Sequence, residues 1–339
     1  MISPRVSIQD VALAAGVSSA TVSRVLSGTR SVKPNSAAAV QAAVATLNYR
    51  PNQLGRALRR QSTQVIGMIV PSIDNPFFPS VVQAAERQLR SKGYALLLAT
   101  SDDDPAIEAE RVQMLIDHQV DGLLISPCRR MASMTAVTEA AERVPLVQID
   151  RAVDSHEFDF VGVDDGEGVR SLVDLVLALH PRRVAYLGGD LDNWSGAKRH
   201  AAFISLAREH RAKFSTEVKL GEFSEAWGHE AAMDLLGGPH PPDAFICGND
   251  LIAAGAIDAC EAAGLVVGRE VGVSGYDDIP LARMCRPPLT TVRQPVDKLG
   301  ERAVELLLAR AADQHREPEQ VLLQTELVVR QSMTAAPRI

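Results

Sequence analysis

Apolar residues recur along this chain in two different rhythms. Near the start they follow a helical spacing: Ile8, Val11, Ala12 and Ala15 fall at i, i+3, i+4 and i+7, one stripe of a short amphipathic helix. Val6 and Ser7 precede the stripe, and Asp10 stands three residues after Ser7. That spacing predicts a capping box, with Val6 stapled onto Val11. Gly16 supplies the left-handed residue that stops a helix. The same grammar then repeats, with Val17 and Ser18 leading into Val22, Val25 and Leu26 and with Gly28 as the closing residue. A third stripe, Val40, Ala43, Val44 and Leu47, predicts a supporting helix. Two short helices joined at a glycine turn, with a third behind, make a helix-turn-helix pattern. The geometry alone fits an ordinary small helical bundle equally well.

From residue 65 onward the rhythm changes. Apolar runs at 65–70, 95–99, 122–125, 146–149, 161–163, 184–187, 244–247 and 271–274 alternate with helical stretches at 79–92, 107–118, 167–179, 197–211, 226–236 and 251–263. Short, wholly apolar strands alternating with helices predict an α/β body of doubly wound parallel sheets. Two such halves in series predict two lobes with a cleft between them. In sheets of this kind ligands collect beyond the carboxyl ends of the strands, and those positions are polar here. Ser72 to Phe78 follow the first run, Asp150 and Arg151 the fourth, Gly248-Asn249-Asp250 the seventh and Gly275-Tyr276-Asp277-Asp278 the last. Asn193, Ser195, Lys198 and Arg199 lie before or at the start of a helix. Carboxylates, amides and an arginine beside aromatics suit a polyhydroxylated ligand. Taken singly, each Asp reads equally well as a helix cap, and Asp250 and Asp278 are expected to be caps or turn formers. Trp194 and Trp227 are weaker candidates, since an aromatic on an amphipathic helix usually packs in a core.

Charge separates a plain bundle from a DNA reader. The first sixty-one residues carry eight Lys and Arg against the single acid Asp10, a net +7, on a chain whose total is −7. A short basic head on a long acidic body points to a polyanionic partner. The exposed start of the second helix presents Ser18, Ser19, Ala20, Thr21, Ser23 and Arg24. Small side chains there let the backbone approach a duplex, and helix-terminal N–H groups can take a phosphate. Arg24 lies one turn beyond Ala20, where a guanidinium can fork onto guanine O6 and N7.

Other classes of function find little footing. The four cysteines, Cys128, Cys247, Cys260 and Cys285, are scattered, so neither a disulfide framework nor a structural metal is expected, and three of them sit in apolar surroundings as small core residues. No apolar run reaches the length of a membrane span, and the opening residues show no secretory leader. A cytoplasmic setting fits. Neither a dinucleotide fingerprint nor a phosphate-binding loop appears, and no nucleophile–base pair can be argued, so no cofactor and no catalytic residue is expected.

The segments from Val6 to Ala12, from Gly16 to Leu26 and from Asn48 to Asn52 together resemble the lactose-repressor/galactose-repressor family of transcriptional regulators, and the likeness runs through nearly the whole chain. The resemblance implies a DNA-binding domain at 1–50 and a hinge at 51–63. It also implies a first lobe from 64–162 with 292–323 and a second from 163–291 with 324–339. It makes Ser19, Ala20 and Arg24 the base-reading positions. Asn52, Arg56, Leu58 and Arg59 would contact DNA from a hinge helix, with Leu58 wedged between central base steps of the minor groove. It places effector contacts at Phe77 or Phe78, Asp150, Asn193, Ser195, Arg199, Phe223, Asn249 and Asp277. The implied protein is a homodimeric repressor on a near-palindromic operator, controlled by a small molecule, with a sugar or sugar derivative such as a sugar phosphate favoured over a purine-like effector. Residues 330–339 show no leucine heptad that would zip dimers into tetramers. The two rival readings are an α/β enzyme and a periplasmic-type sugar-binding protein without DNA binding. The chain departs from the family at Ala37, where a basic residue is common, and at Gly55, where alanine is common.

Gly55 costs a hinge helix about 1 kcal/mol relative to alanine, so this segment by itself reads as a basic, flexible linker. Leu58→Ala should therefore weaken operator binding and reduce the bend measured by gel phasing, as expected for loss of an apolar wedge. Gly55→Ala should tighten binding by pre-organising the helix. An unchanged bend in the Leu58 variant refutes the wedge.

Overall fold

The computed structural model describes residues 6–27, 32–49 and 62–334, and among these, three helices lie in the N-terminal unit, Met1–Thr63. Helix α1 (Ile8–Ala15) starts on the expected capping box: the Ser7 amide donates to Asp10 Oδ2 at 2.8 Å and the Asp10 amide to Ser7 Oγ at 3.3 Å. Those bonds to Ser7 hold the Asp10 carboxyl below its usual range. Gly16 ends the helix at φ +65°, where only glycine sits without strain. Helix α2 (Ser19–Ser27) begins behind Ser18, whose hydroxyl accepts from the Thr21 amide at 3.3 Å. Helix α3 (Pro34–Thr46) closes the bundle. Val11, Ala12, Val22, Val40, Ala43 and Tyr49 form the core, while Ala20 and Arg24 lie on the exposed side of α2. Gly28 and the hinge residues Asn52, Gly55, Arg56, Leu58 and Arg59 lie outside the described residues.

The second unit, Gln64–Ile339, carries two parallel sheets. The larger uses β1 (Val65–Val70), β2 (Ala95–Thr100), β3 (Gly122–Ile125), β4 (Leu146–Ile149), β5 (Asp159–Val163) and β11 (Gln320–Leu323), in the order β11-β5-β4-β3-β1-β2. The smaller runs β7-β6-β8-β9, from β6 (Arg183–Gly189), β7 (Ser215–Gly221), β8 (Ala244–Cys247) and β9 (Gly272–Ser274). Every pairing within these two sheets is parallel. A separate antiparallel pair, β10 (Thr291–Arg293) and β12 (Glu326–Val328), lies in the connecting strands between them.

Helices α4 (Phe77–Ser91), α5 (Pro105–Asp117), α6 (Met134–Ala141) and α12 (Val296–Ala312) go with the larger sheet. Helices α7 (Asp165–Ala178), α8 (Trp194–Glu209), α9 (Glu225–Leu236), α10 (Asp250–Ala262) and the short α11 (Pro280–Met284) go with the smaller. Each sheet with its helices forms one lobe. The central strands are buried on both faces, which is why their sequences are unbroken apolar runs. Cys128, Cys247 and Cys260 are buried and Cys285 half-buried, all with free thiols.

Several expectations need correction. Strand β2 is apolar yet not enclosed: it ends its sheet, and Leu97 and Leu98 remain 36% and 39% exposed. Helix α8 starts at Trp194 rather than at residue 197, because Asn193 caps it. Helices α6 and α12 and strands β7, β11 and β12 were not legible: β7 (STEVKLG) is an edge strand with mostly exposed, mixed residues and no apolar run. Among the described residues no helix is long and apolar enough to cross a membrane.

Helix α12 approaches α4 at Gly300, where a Cβ would stand 2.6 Å from the Ala85 nitrogen and 2.7 Å from the Ala84 carbonyl carbon. Backbone cannot yield as a side chain can, so overpacking there costs about 1–3 kcal/mol. Gly300→Ala should lower the urea midpoint of unfolding accordingly, despite alanine's better helix propensity. A midpoint at or above that of the unmodified protein would show that the two helices are free to separate.

Candidate functional site

The carboxyl ends of both sheets face one cleft, and the backbone there is locally strained. Asp150, just past β4, has φ +67°, and Asp277 and Asp278, just past β9, have φ +109° and +54°. Left-handed conformations at residues other than glycine cost on the order of 1–3 kcal/mol and persist where surrounding contacts over-determine them. Around Asp277 those contacts are visible.

Arg199, on the first turns of α8, is 3% exposed and lies at the centre of them. Its Nε donates to Asp165 Oδ1 at 2.7 Å, and its Nη1 donates to the Gly248 carbonyl at 2.7 Å and to Asp277 Oδ1 at 3.4 Å. The guanidinium carbon rests 3.6 Å from the centre of the Tyr276 ring, within cation–π range. Burial opposes its charge, but the Asp165 and Asp277 carboxylates outweigh that and raise its pKa. Asp277 also accepts from Gln294 Nε2 at 2.8 Å. Burial pushes the Asp277 pKa up, against the pull of Arg199.

Asp150 is differently placed. It is 6% exposed, and its nearest cation is Arg151 Nε at 3.9 Å. Burial drives its pKa up to about 7, with Arg151 and Arg199 opposing the rise and Asp277 and Asp165 adding to it. Arg151 lies between Phe78 of the first lobe and Phe223 of the second, 5.1 and 5.9 Å from their ring centres. Its Nη1 donates to Asp103 at 3.2 Å.

These groups divide the cleft. An inner chamber of about 20 Å3 is lined by Phe77, Phe78, Asp150, Ser195, Arg199, Phe223, Asn249 and Asp277, together with Asn75, Arg151 and Gln294. That is roughly the room of a single water. An outer chamber of about 1020 Å3 is lined by Asn193, Phe78 and Phe223 among others. All nine expected effector positions therefore border one chamber or the other, but most surround the smaller. Arg151, Asn75, Phe78 and Phe223 border both.

Sequence reasoning missed Asp165, Asp103, Arg129 and Gln294. Asp165 sits beside Asp164, which caps α7 by accepting from the Glu167 amide, and nothing local distinguishes the two. Asp250, expected as a cap, is instead a buried acceptor for the Ile279 amide at 2.8 Å and the Thr291 hydroxyl at 2.5 Å. Asn249 caps α10 in its place. Asp278, expected as a cap or turn former, instead takes a left-handed conformation and pairs with Arg293 at 2.7 Å and Arg330 at 2.6 Å. Trp227 packs on the core of the second lobe. Trp194 packs edge-on against Phe160, with the Lys198 amine 4.3 Å from its ring centre. At the cleft rim, Arg130 joins the lobes: its amide donates to the Asp192 carbonyl at 2.8 Å and its Nη1 to the Leu191 carbonyl at 3.3 Å.

Comparison with known proteins agrees with both parts of the chain. Residues 7–52 match the model described as bacterial regulatory proteins, lacI family, and residues 173–333 match that of a periplasmic binding protein-like domain. The chain is 33% identical over 332 residues to the HTH-type transcriptional repressor PurR of Yersinia enterocolitica, covering 97% of each, and equally similar to that of Yersinia pestis. Among solved structures it is similar to the Lac repressor dimer bound to operator and the anti-inducer ONPF, with a TM-score of 0.89 and 28% identity over 98% of this chain and 100% of that one. It is also similar to a complex of the transcriptional regulator CelR with cellobiose, with a TM-score of 0.72 and 28% identity over 97% of this chain and 100% of that one.

An Asp whose folded pKa is raised stabilises the fold below its unfolded value and loses that contribution as pH rises through the folded value. For Asp150 the window runs from the ordinary aspartate value of 3.8 to about 7. Asp150→Asn should therefore unfold at a higher urea concentration than the unmodified protein above pH 7. That advantage should shrink steadily toward pH 4, as read from melts at unit pH steps. A constant difference across the range would place the Asp150 titration elsewhere.

Proposed function

Because the chain belongs to the lacI family of bacterial regulatory proteins, we propose that it is a homodimeric repressor of a near-palindromic operator whose affinity is set by a carbohydrate in the cleft. DNA binding and repression follow from the family, and its relatives are repressors rather than enzymes. The carbohydrate rests chiefly on one observation. Asp150, Arg199, Asn249 and Asp277 converge at the junction of two lobes on an inner chamber that shares Asn75, Phe78, Arg151 and Phe223 with the outer chamber of about 1020 Å3. Hydroxyls need bidentate partners of this kind, and C–H faces need such rings. The solved relative carrying cellobiose supports the same reading.

In the head, α2 offers Ser19, Ala20 and Arg24 to base edges, while Ser18, Thr21 and Ser23 serve the backbone. The hinge residues Asn52, Arg56, Leu58 and Arg59 complete the DNA contact. Dimerisation is supported by the exposed Leu97 and Leu98 of edge strand β2, apolar surface of the kind a second copy covers. A ligand touching both lobes shifts their arrangement only through unequal affinity for the two states, and the cleft residues come from both.

Fluorescence anisotropy on the cognate operator tests both halves. Arg24→Ala should cost about 1–3 kcal/mol on the operator while sparing random duplex. Asp150→Ala should bind operator normally without ligand and lose the sugar response. Equal losses on operator and random DNA would reduce Arg24 to a phosphate contact, and a sugar response preserved in Asp150→Ala would move the sensor out of the cleft.

A further inference from the structure

Taking the sugar reading as given, we infer that the cleft accepts an uncharged glycan of two or more rings. We further infer that phosphorylated ligands are turned away because every guanidinium in the cleft lining already has a carboxylate partner. The first ground is charge. The first lobe contributes Asp74, Asp102 and Asp103 to the outer chamber, and the second contributes Asp190, Glu222 and Glu225. Among the described lining residues the cations are Arg129, Arg151 and Arg199. Arg129 and Arg151 both face Asp103, at 3.9 and 3.2 Å, and Arg199 is held by Asp165 and Asp277. A phosphate entering here meets an excess of like charge, which disfavours its binding.

The second ground is the helix ends. Four helices begin at the cleft, and a helix N-terminus is otherwise a ready anion site. Each already has an internal acceptor. Asn75 Oδ1 takes the Phe77 amide at 3.1 Å, and Asn193 Oδ1 takes that of Gly196 at 3.2 Å. Ser224 Oγ takes the Trp227 amide at 3.2 Å, and Asn249 Oδ1 takes that of Ile252 at 2.9 Å.

The third ground is what the inner chamber still lacks. Gln294 Oε1 is buried without a donor, and Arg151 Nε is buried without an acceptor. A sugar hydroxyl donates and accepts and can serve both, whereas a phosphate dianion brings acceptors only. Size leaves room for more than one ring: the outer chamber alone holds about 1020 Å3, at the upper end of small-ligand sites, with Leu191, Leu220, Phe78 and Phe223 as apolar faces for ring C–H groups.

Calorimetric titration of the full-length protein tests this with matched probes. These are glucose, cellobiose, maltose, trehalose, cellotriose and maltotriose, then glucose 6-phosphate and trehalose 6-phosphate, and finally guanine and hypoxanthine. At least one di- or trisaccharide should bind about tenfold or more tighter than glucose, with phosphorylated counterparts at least about 100-fold weaker. Asp103→Asn, which releases Arg129 and Arg151, should narrow the gap between trehalose and trehalose 6-phosphate by about tenfold. Binding of a phosphorylated sugar within about tenfold of its neutral form, or glucose binding as tightly as every glycan, overturns the inference and leaves the sugar reading intact. An unchanged gap in Asp103→Asn overturns guanidinium pairing as the cause. Purine binding with every sugar silent, or silence of the whole panel, overturns both the inference and the sugar reading.

Discussion

The buried guanidinium of Arg199 organises the second lobe. It joins the start of α7 through Asp165, the end of β8 through Gly248 and the end of β9 through Asp277. Through Gln294, Asp277 extends this network into the strands that connect the lobes. Removing one member of a buried ion pair leaves the other uncompensated, at a cost of about 3–5 kcal/mol. The cluster therefore constrains several strand ends at once, and it holds Asp277 in a left-handed conformation that its sequence does not favour. Asp278, the next residue, ties the same corner to Arg293 and Arg330.

The polarity of the cleft follows from that arrangement. Since Arg199 is satisfied within its own lobe, it adds no free positive charge to the chamber it borders. Arg151 performs the corresponding task across the cleft, lying between an aromatic ring of each lobe and pairing with Asp103. Among the described residues no side chain donates a hydrogen bond to Asp150, and burial raises its pKa to about 7. Interactions that cross between lobes, such as Arg130 with Leu191 and Asp192, are the ones that a change of lobe arrangement must break or keep.

The head follows a more local logic. Its helices are defined by caps a few residues from the positions they satisfy, and among the described residues its core holds six buried side chains, most of them small. This frees the outward face of α2 to be chosen for DNA rather than for packing. The +7 charge of the first sixty-one residues, on a chain of −7 overall, draws that face toward phosphate and leaves the body repelled by the same polymer.

What the sequence determined by itself is what short-range periodicity and capping encode. Ser7 with Asp10, the left-handed Gly16, the apolar runs of the central strands and the polar residues after them were all legible, because each signal lies within a few positions of its effect. Only the tertiary structure decided which polar residues do what. Arg199 meets Asp165 across 34 positions and Asp277 across 78, and no local pattern separates Asp165 from its capping neighbour Asp164. Likewise Asn249 and Asp250 are both plausible caps in sequence, and only the fold assigns the cap to one and a buried acceptor role to the other. The edge position of β2 and the close approach at Gly300 were equally hidden, since sheet order and helix contact depend on elements far apart in the chain. The physical reason is the same in each case: burial and electrostatic pairing are properties of neighbours in space, and the order of residues along the chain does not list them.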